Sequence, residues 1–509
     1  MRLCLLLVAL LAGCTQTVAP EPSQAIDPAG TALGQRLAER AREQPEGTSG
    51  YRLLASSTDA FLARAESIRA AQHSVDLQYY IVHDGPSTRL LTDELLRAAD
   101  RGVRIRILLD DTTSDGRDQQ MAVIAAHPNI EIRVFNPLHI GRSTAITRSL
   151  GRLFNLSRQH RRMHNKLWLV DSSIGIVGGR NLGDEYFDAR TDLNFTDIDL
   201  LVAGPVAADL GQSFDQYWNH RLSAPIQNFL HRSPDASALR ETRLRLDVQL
   251  KELADANDEQ YERLSRYRRE PQLQAWLEEL LWAPGQALWD APTKLLEDGD
   301  PDPQWLLTTQ LTPALDAVEK ELLLISAYFV PTDSGVEYLT GLTGRGVAVK
   351  VLTNSLEATD VPAVHGGYGH YRPALLAGGV ELYELRRQPE EEPSYSYSGD
   401  SESSLHSKAL VLDGRRAFIG SLNLDPRSIL WNSEIGVLVD SPELAAEVRR
   451  LTLEGMAPGL SYRVIEENGR LAWLAENDGQ PVRLEKEPGG LWRAFNAWFA
   501  RRVGLERML

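Results

Sequence analysis

Cysteine is almost absent from this chain, and both copies lie close to its start. The 509 residues contain only Cys4 and Cys14. If the first residues are a removable targeting segment, no pair of thiols remains, which excludes structural disulfides and cysteine-based zinc sites. A membrane-spanning run is also missing, since Leu3 to Leu11 is shorter than the roughly 20 apolar residues that cross a bilayer. Excess positive charge is lacking too: the net charge is -16, so nucleic acid is not the expected partner.

The first residues resemble a bacterial targeting segment. Arg2 precedes the short apolar run, and the run ends in Leu-Ala-Gly-Cys at residues 11–14, which is similar to a lipoprotein cleavage box. The resemblance implies that Cys14 is lipidated as the first mature residue. We then expect a membrane-anchored lipoprotein that faces the periplasm, at either the inner or the outer membrane. The alternative is an ordinary signal peptide in which Cys14 is incidental.

The rest of the sequence contains an internal repeat. Four segments recur in the same order: 77–81 with 326–330, 101–108 with 345–352, 130–132 with 380–382, and 196–198 with 433–435. Each half alternates β-branched apolar strands with segments of 3.6-residue periodicity, such as 88–100 and 335–343. This order predicts an α/β fold of two duplicated α/β sandwich halves with mixed sheets.

Changes in composition give the expected domain boundaries. The predicted division is a signal peptide at 1–14, a flexible tether at 15–44, a first half at 45–235, a mainly helical insertion at 236–300, a second half at 301–460, and a strand pair with an amphipathic helix at 461–509. The helical insertion is expected to be a structural brace or cap. A second insertion, 388–404, is acidic and serine-rich, and it is either a lid or a solvated loop.

One motif occurs in both halves with identical spacing. His164 and Lys166 are followed by Asp171, Gly178 and Asn181. The second copy is equally spaced and consists of His406, Lys408, Asp413, Gly420 and Asn423. A histidine and a lysine two residues apart on a strand project from one face, and apolar strand sequence follows both pairs. Two copies related by pseudo-two-fold symmetry would converge on one shared site at the interface of the halves.

Such a site suits attack on a phosphodiester. One imidazole attacks phosphorus and forms a phosphohistidine, and the other protonates the leaving alkoxide and later deprotonates the acceptor hydroxyl. The two lysines, with Asn181 and Asn423, would bind the non-bridging oxygens, so no metal and no cofactor is expected. Asp197 and Glu434 occupy matching positions and are expected to orient the imidazoles. Asp171 and Asp413 are expected to support the turns after the strands.

The paired motifs resemble those of the phospholipase D superfamily. Further segments are similar to the bacterial cardiolipin synthases of the C type: 161–166, 177–181, 353–361, 364–368 and 419–428. This resemblance implies phospholipid substrates at a membrane surface, with phosphatidylethanolamine as donor and phosphatidylglycerol as acceptor. Because one chain carries both motifs, we expect a monomer to suffice for the active site. Related enzymes favour His164 as the nucleophile, although the two halves are too alike for the residues to decide.

Other functions and features remain open on the sequence alone. A phospholipase D that transfers the group to water shares every catalytic residue. A nuclease is disfavoured by the acidic chain, and a non-catalytic scaffold by two intact motifs. His365 and His370 either line a headgroup pocket or lie on a polar surface, and an arginine-rich run before His164 is either a solvated face or an attractor of anionic headgroups. The aromatic and arginine pattern of 491–509 predicts an interfacial helix, with a helix packed on the body as the alternative.

Overall fold

Two mixed sheets that share one strand form the framework of the protein. The computed structural model describes residues 18–112, 118–137, 160–190, 193–230, 232–297, 299–387 and 402–502. Each sheet contains two parallel strand pairs flanked by antiparallel neighbours. The predicted fold class, an α/β duplication with a mixed sheet in each half, is confirmed.

The first half runs from β1 to β9. Its strands are β1 (Thr48–Leu54), β2 (Ser74–Tyr79), β3 (Arg104–Asp110), β4 (Ile130–Phe135), β5 (Leu167–Val170), β6 (Ile174–Gly178), β7 (Leu193–Thr196), β8 (Asp199–Ala203) and β9 (Ser223–Pro225). Its helices are α1 (Ala32–Ala41), α2 (Ser57–Ala70), α3 (Pro86–Asp100), α4 (Asp118–Ile124) and α5 (Pro205–Trp218). The sheet order is β1-β8-β6-β5-β2-β3-β4-β9.

Helices fill most of the region between the halves. They are α6 (Ala236–Asp255), α7 (Glu259–Leu264) and α8 (Leu273–Glu278). Their buried apolar residues, among them Leu246 and Trp276, join the core formed by α2, α3 and the outer face of the first sheet. The range 236–300 is not helical throughout, however, because β10 (Leu281–Trp289) lies inside it. Its first residues pair with β1 and its last with β17, so this strand joins the two sheets.

The second half repeats the first. Its further strands are β11 (Glu321–Ser326), β12 (Ala348–Asn354), β13 (Glu381–Leu385), β14 (Glu402–Leu405), β15 (Lys408–Leu412), β16 (Arg416–Gly420) and β17 (Ile435–Asp440). Its helices are α9 (Leu307–Asp316), α10 (Thr332–Gly344), α11 (Pro362–Gly369), α12 (Arg372–Ala377) and α13 (Pro442–Gly455). The sheet order β10-β17-β16-β15-β11-β12-β13 reproduces that of the first half from β1 to β4.

The C-terminal region extends the second sheet. The expected strand pair is in fact a three-stranded meander of β18 (Ser461–Glu467), β19 (Arg470–Asn477) and β20 (Gln480–Leu484), joined to β13. Tight turns at Asn468-Gly469 and Asp478-Gly479, with positive φ at all four residues, connect these strands. The last described element is α14 (Gly490–Arg502).

A shared core holds the halves together. One apolar cluster combines residues of α5 and the first sheet, such as Phe214 and Val177, with residues of α13 and the second sheet, such as Val448 and Val437. Each half also has an outer core between its sheet and its own helices. Because the inner faces of both sheets are buried against one another, their strand ends meet at a common interface.

The strand pairing tests the register of the repeat. In the first half Ser74 pairs with Arg104, and at the equivalent place in the second half Glu321 pairs with Ala348. Likewise, Val82 forms a bridge with Leu182, and Phe329 forms one with Leu424. The match of 77–81 with 326–330 is therefore wrong by two residues, and 77–81 corresponds to 324–328. A shift of two keeps every side chain on the same face of a strand, so the apolar pattern alone does not expose the error.

The described part of the expected tether is ordered. Residues 18–44 contain α1, and the stretch before it is hydrogen bonded to the first half. The Val18 N–H donates to Asn228 Oδ1 at 2.7 Å, and the Ala25 N–H donates to Asp215 Oδ2 at 2.7 Å. Polar side chains that are distant in sequence thus accept hydrogen bonds from the backbone N–H groups of this stretch. These contacts correct the expectation of a flexible linker for these residues.

Candidate active site

The two His-Lys pairs lie at equivalent strand ends. His164 and Lys166 immediately precede β5, and His406 precedes β15, which begins at Lys408. All four side chains are buried. Because β5 and β15 face the same interface, the duplication brings both pairs into one site.

Each histidine is held by a carboxylate from the opposite half. His164 Nδ1 lies 2.9 Å from Glu434 Oε2, and His406 Nδ1 lies 2.7 Å from Asp197 Oδ2. Since Nδ1 is engaged in both rings, Nε2 is the nitrogen left for chemistry. Asp197 and Glu434 thus stand where the sequence predicts orienting acids, and the pairing crosses between the halves.

The backbone enforces this crossing. The His164 N–H donates to Ser433 O at 2.9 Å, and the His406 N–H donates to Thr196 O at 2.8 Å. In the second case β14 and β7 pair in parallel directly before the two site residues. β14 overlaps the range 388–404, so residues 402–404 are strand and not loop, while 388–401 lie outside the described residues.

Each lysine of the site is hydrogen bonded to a backbone oxygen of its own motif. Lys166 Nζ donates to His164 O at 2.7 Å, and Lys408 Nζ donates to His406 O. Lys166 Nζ also lies 5.5 Å from the centre of the Tyr80 ring. Each ammonium is therefore bound to the strand end that carries the imidazole, so the two cations occupy defined places beside the rings.

Burial and positive charge keep both imidazoles neutral. Burial lowers the pKa of His406 to about 4, with a further lowering by Lys408. Burial, Lys166 and Lys408 hold the pKa of His164 well below its usual range. Burial also lowers the pKa of Lys166 and of Lys408, and the two ammonium groups repel one another. An anionic phosphodiester would relieve this repulsion.

The two orienting carboxylates differ in their ionisation. Burial raises the pKa of Asp197, but its hydrogen bond with His406 and the nearby charges of Lys408 and Arg180 outweigh burial, so this pKa lies below its usual value. Burial raises the pKa of Glu434 to about 7. Glu434 also accepts a 2.5 Å hydrogen bond from Ser421 Oγ and lies beside Asp290, whose pKa burial raises to about 6. Near neutral pH, His406 therefore faces a fully ionised partner and His164 a partly protonated one.

The two asparagines are placed differently. Asn181 Oδ1 accepts from the Ile81 N–H at 3.2 Å, and its Nδ2 donates to Tyr186 Oη at 3.0 Å. The Tyr186 ring lies edge-on to the His406 ring at 5.3 Å. Asn423 Oδ1 is buried and has no hydrogen-bond partner among the described residues.

Asp171 and Asp413 lie at the far ends of β5 and β15 from the histidines. Asp171 accepts backbone N–H groups of residues 72–74 at 2.8 to 2.9 Å. Asp413 accepts those of residues 319–321 at 2.7 to 3.3 Å. Both have positive φ, as turn residues often do. This geometry agrees with the supporting, structural role that the sequence suggests.

Aromatic rings line the histidines, and sequence reasoning missed them. The Tyr80 ring lies 5.0 Å from His164, and Phe195 lies 5.1 Å from His406. Ser421 and Asp290, which contact Glu434, were missed as well. Tyr80 and Ser421 stand within segments that the repeat or the family resemblance already marks, whereas nothing near Asp290 in the sequence signals its place.

His365 takes part in an ion-pair cluster of its own, whereas Arg161 and Arg162 directly precede the first catalytic pair. His365 Nε2 contacts Glu487 Oε1 at 2.6 Å, and Arg372 bonds both Glu384 and Glu487. His365, Glu384 and Glu487 are close enough together to hold a metal ion, but the Arg372 guanidinium already supplies their cation. The Arg161 and Arg162 side chains are buried, whereas the earlier part of the arginine-rich run, through residue 159, lies outside the described residues.

Comparison with known proteins identifies the class and then the family. A duplicated chain in which each half supplies one His-Lys motif to a shared site is of the phospholipase D class. The profile described as "Cardiolipin synthase, PLD-like domain" matches residues 65–218 and 311–453. The chain is 36% identical over 473 residues to cardiolipin synthase C of Escherichia coli (strain K12), covering 92% of this chain and 97% of that protein. The chain therefore belongs to the cardiolipin synthase family with phospholipase D-like domains.

More distant proteins are similar to this chain over most of its length. Cardiolipin synthase A of Yersinia pestis is 25% identical over 423 residues, which covers 82% of this chain and 71% of that protein. The crystal structure of phosphatidylserine synthase from Haemophilus influenzae is similar in fold, with a TM-score of 0.57 at 13% identity, and it covers 93% of this chain and 100% of that one. The predicted membership of the superfamily and of the cardiolipin synthase family is confirmed.

Proposed function

We propose that this protein transfers a phosphatidyl group between glycerophospholipids through a covalent phosphohistidine. The observation that carries the proposal is the pair of buried imidazoles, each bound through Nδ1 to a carboxylate of the other half and each next to a lysine. This arrangement offers one nucleophile, one proton carrier and two fixed cations in a single buried cluster.

The different carboxylates favour a division of labour. Both rings are unprotonated, but His164 is the nucleophile, because its partner Glu434, whose pKa burial raises to about 7, stabilises an imidazolium less than Asp197 does. His406 is the proton carrier, because the ionised Asp197 stabilises its imidazolium once an anionic substrate enters. Asp197 and Glu434 are positioning residues that hold each ring in one tautomer.

The reaction then has two steps. His164 Nε2 attacks phosphorus, the bond from phosphorus to the headgroup oxygen breaks, and the His406 imidazolium gives its proton to the leaving oxygen. In the second step His406 takes the proton of the acceptor hydroxyl, whose oxygen attacks phosphorus, and the phosphorus–nitrogen bond to His164 breaks. Lys166 and Lys408 neutralise the charge on the non-bridging oxygens, and the Asn423 amide donates a hydrogen bond to them. Asn181 supports the site through its hydrogen bond to Tyr186. The chemistry needs no metal or cofactor.

The substrates follow from the family resemblance. The donor is phosphatidylethanolamine, the acceptor is phosphatidylglycerol, and the product is cardiolipin. The test is to incubate the pure protein with labelled phosphatidylethanolamine, with and without phosphatidylglycerol. Labelled cardiolipin that depends on the acceptor supports the proposal. Phosphatidic acid as the sole labelled product in both incubations identifies a hydrolase and contradicts it.

Cys14 is proposed as a lipid attachment site. Residues 1–17 lie outside the described residues, and among the described ones no helix is long and apolar enough to cross a membrane. A lipoprotein facing the periplasm, on the inner or the outer membrane, would bring the active site to its substrate. Mass spectrometry of the mature N-terminus tests this proposal, and a mature chain that begins at any residue other than a diacylglyceryl-modified Cys14 refutes it.

A further inference from the structure

An exposed aromatic face runs along the last described helix. It consists of five side chains of α14: Leu491, Trp492, Phe495, Trp498 and Phe499. Their exposed fractions run from 49% to 93%. The ring centres of Trp492, Trp498 and Phe499 lie about Phe495 at 5.9 to 6.2 Å, so the rings form one strip. A contiguous exposed apolar patch of this kind marks an interaction surface.

The opposite face of α14 is packed firmly on the body. Ala497 lies against α11, and a Cβ atom at Gly366 would fall 2.2 Å from Ala497 O. Arg493 Nη1 donates to the carbonyl oxygens of Leu356 and Thr359 at 3.3 and 2.5 Å. The strip is therefore exposed on a helix with a fixed position, and it is not the apolar side of a detached tail.

The segment that holds α14 also borders the catalytic site. Asp360 follows Thr359, is exposed to solvent, and accepts hydrogen bonds from Tyr328 Oη at 2.9 and 2.8 Å. Its charge acts on the buried Lys408 ammonium. The same segment follows Asn354, whose Nδ2 donates to Leu405 O at 2.8 Å directly before His406, so α14 is packed beside the catalytic site.

We propose that the aromatic face of α14 inserts into the boundary between lipid headgroups and acyl chains and holds this side of the catalytic site against the bilayer. The proposal rests on the proposed function, because the substrate phosphodiester then lies in the headgroup layer. Charge favours anionic lipid as the partner, because two copies of a chain with a net charge of -16 repel one another. Residues 490–502 contain three arginines and no acidic residue, whereas the whole chain carries a net charge of -16. Tryptophan and phenylalanine beside arginine are typical of helices that lie in a membrane interface.

Bromolipid quenching measures the contact directly. The full-length protein is bound to vesicles of phosphatidylethanolamine and phosphatidylglycerol that contain phosphatidylcholine brominated on its acyl chain. Wild-type tryptophan fluorescence should be quenched, and most of the quenching should disappear in Trp492→Phe/Trp498→Phe, which keeps the aromatic face. Absence of quenching, or equal quenching in this variant, overturns the proposal.

Turnover separates membrane contact from folding. In a variant with serine at positions 492, 495, 498 and 499, transfer between vesicle lipids should fall roughly 10-fold or more, while transfer between short-chain phospholipids below their micelle concentration should persist. The matched control is Leu244→Ser/Val248→Ser on α6, whose side chains are 66% and 55% exposed. This control should lose neither activity.

The other outcomes are equally decisive. Full vesicle turnover in the four-serine variant, an equal loss on both substrates, or a wild-type dimer that the variant cannot form each refutes the membrane role. A wild-type protein that transfers nothing from either substrate refutes the proposed function instead, and the quenching experiment still tests the surface.

Discussion

Replacing the two orienting carboxylates one at a time should have unequal effects. Asp197→Asn removes the ionised partner of His406, and Glu434→Gln removes a partner of His164 whose pKa is about 7. If His406 carries the proton and His164 is the nucleophile, the loss of Asp197 should cost far more. The substitutions are nearly isosteric, so each keeps the local packing.

The magnitude follows from burial and charge. The bond from His406 Nδ1 to Asp197 Oδ2 is 2.7 Å long, and the Asp197 side chain is fully buried. A charge-assisted hydrogen bond in such a setting contributes about 3 kcal/mol, which corresponds to a loss of roughly 100-fold in kcat. Burial raises the pKa of Glu434 to about 7, so its negative charge is weaker than that of Asp197 near neutral pH, and glutamine resembles its protonated form. We expect a loss of about 10-fold or less for Glu434→Gln.

Donors with different leaving groups make the assay specific. The first step is isolated by measuring release of the headgroup in the first turnover, with phosphatidylethanolamine and with phosphatidyl-p-nitrophenol, whose leaving group needs no proton. In Asp197→Asn, formation of the covalent intermediate should be slow with the first donor and close to wild type with the second. Thermal unfolding of both variants controls for stability. A Glu434→Gln defect as large as that of Asp197→Asn, or a defect that ignores the leaving group, refutes the assignment of roles.

Three further outcomes test other parts of the account. The pKa of His406 is about 4 in the folded state and higher in the unfolded chain, so protonation of this ring destabilises the fold as the pH falls from 6.5 to 4. Over this range, the unfolding free energy of His406→Asn, measured by urea titration, should therefore fall by up to about 3 kcal/mol less than that of the wild type. An equally steep fall in both proteins contradicts this. Asp171→Asn should reduce the unfolding free energy by about 2 kcal/mol and leave kcat unchanged, because its carboxylate binds only backbone N–H groups; a large loss of kcat in the folded variant would show a catalytic role. Gly366→Val should displace α14 and expose residues 485–490 to proteolysis, because its side chain would collide with Ala497; unchanged protection would show that the helix is not packed as described.

Motif spacing predicts which residues form the site, and contacts between the halves determine which carboxylate binds which histidine. His164 and His406 each stand two residues before a lysine, and apolar strand sequence follows both pairs. The sequence alone therefore predicts that both pairs lie at strand ends. The crossing of Asp197 to His406 and of Glu434 to His164 depends on contacts between halves more than 200 residues apart. No local periodicity encodes such contacts, which explains why the sequence predicts orienting acids but not their partners.

The errors in the fold have related causes. The sequence does not predict β10, because Leu281–Trp289 contains proline and glycine and follows a long helical stretch. Composition does not predict the contacts of residues 18–25, because their partners, such as Asp215 and Asn228, lie almost 200 residues away or more. The repeat register slipped by two because strand alternation has a period of two. In each case the deciding interaction is nonlocal, whereas the periodic helices α3 and α10 were predicted from local pattern.

The most direct test of the central claim is to find the covalent intermediate. The His406→Asn variant is mixed with phosphatidyl-p-nitrophenol, quenched at a pH that preserves phosphohistidine, digested and mapped by mass spectrometry, with His164→Asn as the control. The account predicts a phosphatidyl adduct on His164 in the first variant and no adduct in the second. An adduct on His406 in the His164→Asn variant, or turnover by either variant at the wild-type rate, would contradict it.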